Sequence, residues 1–179
     1  MRHPFETIAA NKRKLWFEIL FPLTLGVMVI MQATGHSLQT DAAPQGIVSF
    51  ELAGDSSTAQ AIIQSWTPAA LPHAGFSLGF DFVFMPLYST TIGLACVWAA
   101  GVLTLRLAAV GTWLAWGQWL AALLDAVENG ALLVMLLEAA RAPWPQIALW
   151  CAALKFGLVF LGLGYAALGA VGWMVQRLR

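Results

Sequence analysis

Charge is what this chain has least of. Of its 179 residues only 10% are Asp, Glu, Lys or Arg, against about 25% in an ordinary soluble domain; 60% are hydrophobic, against about 45–50%. That scarcity excludes a soluble domain coated with ionic side chains. The formal net charge is zero, so bulk charge offers nothing to a polyanion and no nucleic-acid partner is expected. Cysteine is nearly absent. Cys96 and Cys151 stand far apart with no C-x-x-C spacing, which excludes a dithiol redox site and a disulfide framework and leaves two small packing residues. His3, His36 and His73 are isolated; no metal is expected, neither zinc nor haem iron, and no cofactor. HExxH, GxSxG and GxxxxGK[ST] are missing too. No internal repeat or low-complexity tract appears. The length suits one domain over 1–179, with no room for a soluble module beside it.

What the chain has instead is four long apolar runs, at about residues 15–34, 78–105, 112–138 and 146–175. Each exceeds 18 residues with few charges, the length a helix needs to cross a hydrocarbon core. The runs are apolar on every side, which excludes the alternating pattern of a barrel strand. The predicted fold class is therefore an all-α integral membrane protein: a four-helix transmembrane bundle. The basic start followed by Leu15–Thr34 looks like a signal peptide, but the run is a full span long and no A-x-A site follows closely, so it is read as a retained first span.

Lys and Arg set the threading. Arg2, Lys12, Arg13 and Lys14 precede the first span, Arg106 lies between the second and third, and Arg177 and Arg179 follow the fourth. Arg141 alone falls on the other side. Positive-inside bias puts both termini in the cytoplasm. Size and threading suit a bacterial inner membrane. Trp16, Trp113 and Trp173 then mark the inner interface, and Trp144 and Trp150 the outer one.

The loop between the first two spans, about residues 35–77, is long and has no Lys or Arg. "GIVSFELAG" is rich in β-formers and reads as a short extended segment. In "DSSTAQAIIQSW", Ser57 and Gln60 fit a capping box, and Ala59, Ile62, Ile63 and Trp66 form one helical stripe before Pro68. This patterned outer loop thus predicts a short amphipathic helix, lying on the membrane surface or packed on the bundle.

The unusual chemistry sits inside the spans. Asp81, Asp125, Glu128 and Lys155 interrupt apolar runs, although a charge at a span's centre costs about 2.5–3.5 kcal/mol. Glu18 is nearer its basic helix end and is expected to reach the interface or a neighbouring Lys. Asp125, Glu128 and Asn129, at i, i+3 and i+4, share a helix face. Glu128 lies about ten residues inside its span end and Lys155 about nine, so both sit at depths of roughly 13–15 Å. Asp81 near the outer end of the second span, and Tyr88 two turns on, extend the polar set. Three acids against one Lys leave excess negative charge, which favours a retained proton or a bound cation. Gly162 and Gly169, on the Lys155 face, invite a close helix, with Gly157 and Gly164 on a neighbouring stripe. Pro22 and Pro86 are expected to kink their helices. Trp116 and Trp119 read as lipid-facing, or as walls of an apolar pocket.

These observations point first to a polar pocket in the outer half of the bundle that binds or processes an amphiphilic or lipid-like molecule. Asp125 and Glu128 would be its acid/base groups and Lys155 their partner, giving a catalytic set. Asp81, Tyr88, Asn129 and, from the loop, Glu51 would contact the ligand, with Glu51 otherwise a solvated acid. Membrane lipids are the expected surroundings, and a homo-oligomer or a membrane-complex partner is open. The alternatives are a proton- or cation-coupled transporter or channel component, and a non-catalytic subunit whose polar set fixes helix register. Whether the protein is an enzyme stays open at this level.

Overall fold

A computed structural model describes residues 3–178, without the side chains of Leu105 and Arg106. Arg2 and Arg179, used above for threading, lie outside the described residues, as does the Arg106 side chain. The chain is all-helical, with no strand among the described residues. Among the described residues six α-helices follow one another: α1 (Ala10–Gly35), α2 (Ile47–Glu51), α3 (Ser56–Ser65), α4 (Leu71–Val102), α5 (Leu105–Leu137) and α6 (Trp144–Arg177). Segments containing α1, α4, α5 and α6 are long and apolar enough to cross a membrane. α4 and α5 each start about seven residues before the hydropathy boundary, because backbone hydrogen bonding continues where the side chains turn polar or small. The connection before α4 is correspondingly shorter than expected.

"GIVSFELAG" is not extended: α2 occupies it. A strand needs a partner, and no other extended segment is offered. A helical turn instead satisfies its own backbone and drives Phe50 into the core, where it is fully buried. Gly46 and Gly54, at φ +60° and +73°, make the turns on either side. Nor does Ser57 cap α3. The cap is Asp55, whose carboxylate accepts from the Thr58 backbone N–H at 2.9 Å, from the Thr58 hydroxyl at 2.7 Å and from the Ser57 hydroxyl. The Ser57 bond, then those from Thr58, hold the Asp55 carboxyl down to about 2, so it stays ionised at the positive end of the helix.

The helices divide into two compact units. One takes in Leu25–Met85 and Leu123–Leu154. Its core joins Ala59, Ile62 and Trp66 of the α3 stripe to Phe50, Leu132 and Met135. The stripe is thus spent on protein packing rather than laid on a membrane surface. Trp66 contributes twice: its ring meets Phe50 edge-on at 5.4 Å, and its Nε1 donates to the Leu38 carbonyl at 2.9 Å.

The other unit runs through Thr24 and takes in Pro86–Ala122 and the chain from Lys155 on. Gly162 and Gly169 act here as expected of small residues. A Cβ at Gly162 would meet Gln118 and, at 2.9 Å, Ile92; one at Gly169 would meet the Ala99 backbone at 2.8 Å. Gly157 and Gly164 have nothing near them and serve no close approach. Trp116 and Trp119 are half-buried. They enclose His3, whose ring lies 4.8 and 4.7 Å from theirs. His3 caps a 3-10 turn, Pro4–Thr7, and its backbone N–H donates to Glu6 Oε1, which also accepts from Thr112.

Burial lowers the His3 pKa, and the Glu6 carboxylate offsets part of this. Above pH 6.5 the ring is neutral whether docked or released. As pH falls through 6.5 the released ring takes a proton first, so docking weakens. Thermal unfolding in micelles is expected at a lower Tm at pH 5 than at pH 7. His3→Phe should narrow that gap; an equal gap in both proteins would count against this role.

Candidate functional site

The polar residues singled out from sequence are buried. Asp125, Glu128 and Asn129 on α5, Asp81 on α4 and Glu51 on α2 all belong to one unit and are all at most 8% exposed. Glu51 is therefore no solvated loop acid. The positive-φ turns at Gly46 and Gly54 fold α2 inward and carry its last residue with it.

Local structure explains the convergence. α5 is unbroken from Leu105 to Leu137, so Asp125, Glu128 and Asn129 keep their i, i+3, i+4 spacing and share one face. Asp81 is deeper than hydropathy implied. α4 begins at Leu71, which puts Asp81 about ten residues, or ~15 Å, into the helix. Asn129 is about eight residues, or ~12 Å, from the end of the oppositely numbered α5. Those matched depths bring them together: Asn129 Nδ2 donates to Asp81 Oδ2 at 2.6 Å, wholly out of solvent. A hydrogen bond to a carboxylate is worth about 1.5–3 kcal/mol, enough to fix how α4 and α5 register here.

Tyr88 and Lys155 are also buried, at 6% each, but both belong to the other unit. The Lys155 ammonium stands 4.8 Å from the centre of the Phe156 ring. Glu18, by contrast, meets Lys14 at 3.6 Å on the helix surface, as its place near the basic helix end suggested.

Chemically, the acid set offers carboxyl oxygens held in a low-dielectric setting beside an amide that can donate or accept. Such groups can carry a proton or meet a polar headgroup. Among the described residues no three acids, histidines or cysteines stand close enough to hold a metal ion. A groove of about 370 Å³ opens in the other unit, and none of its lining residues belongs to the acid set.

Among the buried polar residues that escaped sequence reasoning, Gln118 and His3 have the largest side chains. Gln118 is fully buried, donating to the Leu114 and Leu158 carbonyls at 3.3 and 2.9 Å; an amide in the middle of "LAWGQWLAAL" was the available signal. His3 gave none, since burial of a residue so near the chain start depends on the turn that follows it.

Compared with family models, characterised proteins and solved structures, the chain matches none.

Proposed function

We propose that the protein is a four-span integral membrane protein, of a bacterial inner membrane, with both termini cytoplasmic and the α1–α4 connection on the outer side. In that setting Asp125 and Glu128, with Asp81, Asn129 and Glu51, bind or process an amphiphilic or lipid-like molecule. The observation that carries this is the burial of four carboxyl side chains in one unit, three of them within helices apolar enough to cross a membrane. Ionisable groups at such depth are costly and are typically kept for a function. The threading draws on the one-sided Lys and Arg count and on the five interface tryptophans. Trp16, Trp113, Trp144, Trp150 and Trp173 are all at least 36% exposed, as rings seated in a headgroup layer would be.

Asp125→Asn combined with Glu128→Gln keeps volume and removes charge. Lipids co-purified from native membranes would be compared between wild type and the double variant by mass spectrometry. The expected result is loss, by at least roughly ten-fold, of one bound amphiphile class, since an interaction with a buried charged group is worth about 1.5–3 kcal/mol. An unchanged profile in a folded double variant would end this reading.

One observation favours a second reading, a non-catalytic subunit whose polar residues set helix register: the Asn129–Asp81 bond ties α4 to α5 directly. Under that reading the same double variant leaves the lipid profile intact and changes the protein's thermal stability or its assembly in native gels.

A further inference from the structure

The groove outside the acid set has three walls. The Pro4–Thr7 turn contributes Phe5, α1 contributes Trp16 and Leu20, and α4 contributes Pro86, Leu87 and Leu94. Thr90 is the lone polar residue in its lining. Pro86 lines the groove at a point where α4 lacks a backbone donor, since a proline inside a helix has no N–H.

The groove does not end in neutral surface. Ile8, another lining residue, leads into α1, and Lys12, Trp16 and Leu20 follow at i, i+4 and i+8 on one helical face. Lys12 is therefore one turn from Trp16 on the stripe that forms the lining, between Trp16 and Ile8 at the groove's edge. Arg13 adjoins it. Neither makes an ion pair among the described residues, whereas Lys14 is engaged by Glu18 at 3.6 Å. The acids of this stretch are committed: Glu6 accepts from Thr112 and from the His3 backbone, and Glu18 meets Lys14. An apolar channel bordered by uncompensated cations is complementary to one kind of molecule, an acyl chain carrying an anionic phosphate head.

We propose that this groove is a binding site for one acyl chain of an anionic phospholipid, with its phosphodiester on Lys12 and Arg13 and its tail along Trp16, Leu20, Leu87 and Leu94. The site is separate from the acid set but rests on the membrane reading.

The test is native mass spectrometry of the full chain in detergent, titrated with phosphatidylglycerol or with phosphatidylcholine of the same acyl chains. Phosphatidylglycerol is expected to be retained the more strongly. A basic residue near anionic lipid is worth about five-fold in affinity, so Lys12→Gln should lose about that factor for phosphatidylglycerol and nothing for phosphatidylcholine. Lys14→Gln, whose ammonium already has a partner, should lose less. Thr90→Trp, which fills the groove, should reduce retention of both lipids. Equal retention of the two lipids by wild type, or a Lys12→Gln protein that binds as wild type does, would overturn the proposal. So would undiminished binding by Thr90→Trp. Alkaline carbonate extraction of native membranes separates this failure from failure of the membrane reading: a chain released by carbonate was never integral.

Discussion

Gly169→Leu will unfold the compact unit in which α6 meets α4. A Cβ at this position already lies 2.8 Å from the Ala99 α-carbon and closer still to its β-carbon. A flexible side chain could swing away from such an intrusion; main chain cannot, so a whole helix must move. Overpacking costs about 1–3 kcal/mol where neighbours can adjust. Here they cannot, and leucine adds three carbons beyond Cβ, so a loss above about 3 kcal/mol is expected. Gly157→Leu is the matching control. Nothing lies within 4 Å of its Cβ position, and replacing a helical glycine should gain up to about 1 kcal/mol. Unfolding in mixed micelles, followed by circular dichroism, reads both. A Gly169→Leu protein as stable as wild type would mean that the two helices do not approach here.

Trp66→Ala is expected to cost about 3–5 kcal/mol, the range for removing a large aromatic from a packed core. Trp66 is 4% exposed, packs on Phe50 and supplies the donor for the Leu38 carbonyl. Its loss removes both the ring and the donor that holds the connection after α1 against the end of α3. The damage should be regional. Amide hydrogen exchange over Ser56–Ser65 is expected to accelerate by at least about 100-fold, while exchange in the α6 segment from Lys155 on stays near its wild-type rate. Trp66→Phe, which keeps an aromatic and drops the donor, should fall in between. Unchanged protection of α3 in the alanine variant would dismiss this anchoring role.

The four long helices were legible because a twenty-residue apolar run has few other uses, and they were misjudged only where helix outlasts hydropathy. The polar run Asp125, Glu128, Asn129 was visible for the opposite reason, as an exception within such a run. Its pairing with Asp81 was not. Partner choice depends on helix register: hydropathy puts Asp81 near the outer end of its span, whereas the start of α4 at Leu71 places it a further two turns in. For Glu51 the sequence leaves a ligand contact and a solvated loop acid side by side; its burial depends on two glycines whose positive φ turns the chain back. The α3 stripe was legible as amphipathic, but a stripe alone does not say whether it meets lipid or protein. The core containing Phe50, Leu132 and Met135 decides that in favour of protein.

α1 differs from the other long helices in one respect: of its 26 residues only Val27 is buried. A helix held so loosely constrains its own sequence very little. Leu, Ile, Val and Phe can trade places along most of it without disturbing a neighbour, whereas a single added methyl at Gly162 or Gly169 in α6 is felt at once. Substitution will therefore accumulate unevenly over generations, with the apolar stretch of α1 beyond the groove drifting in identity while conserving its greasiness, and the glycine-bearing face of α6 standing still.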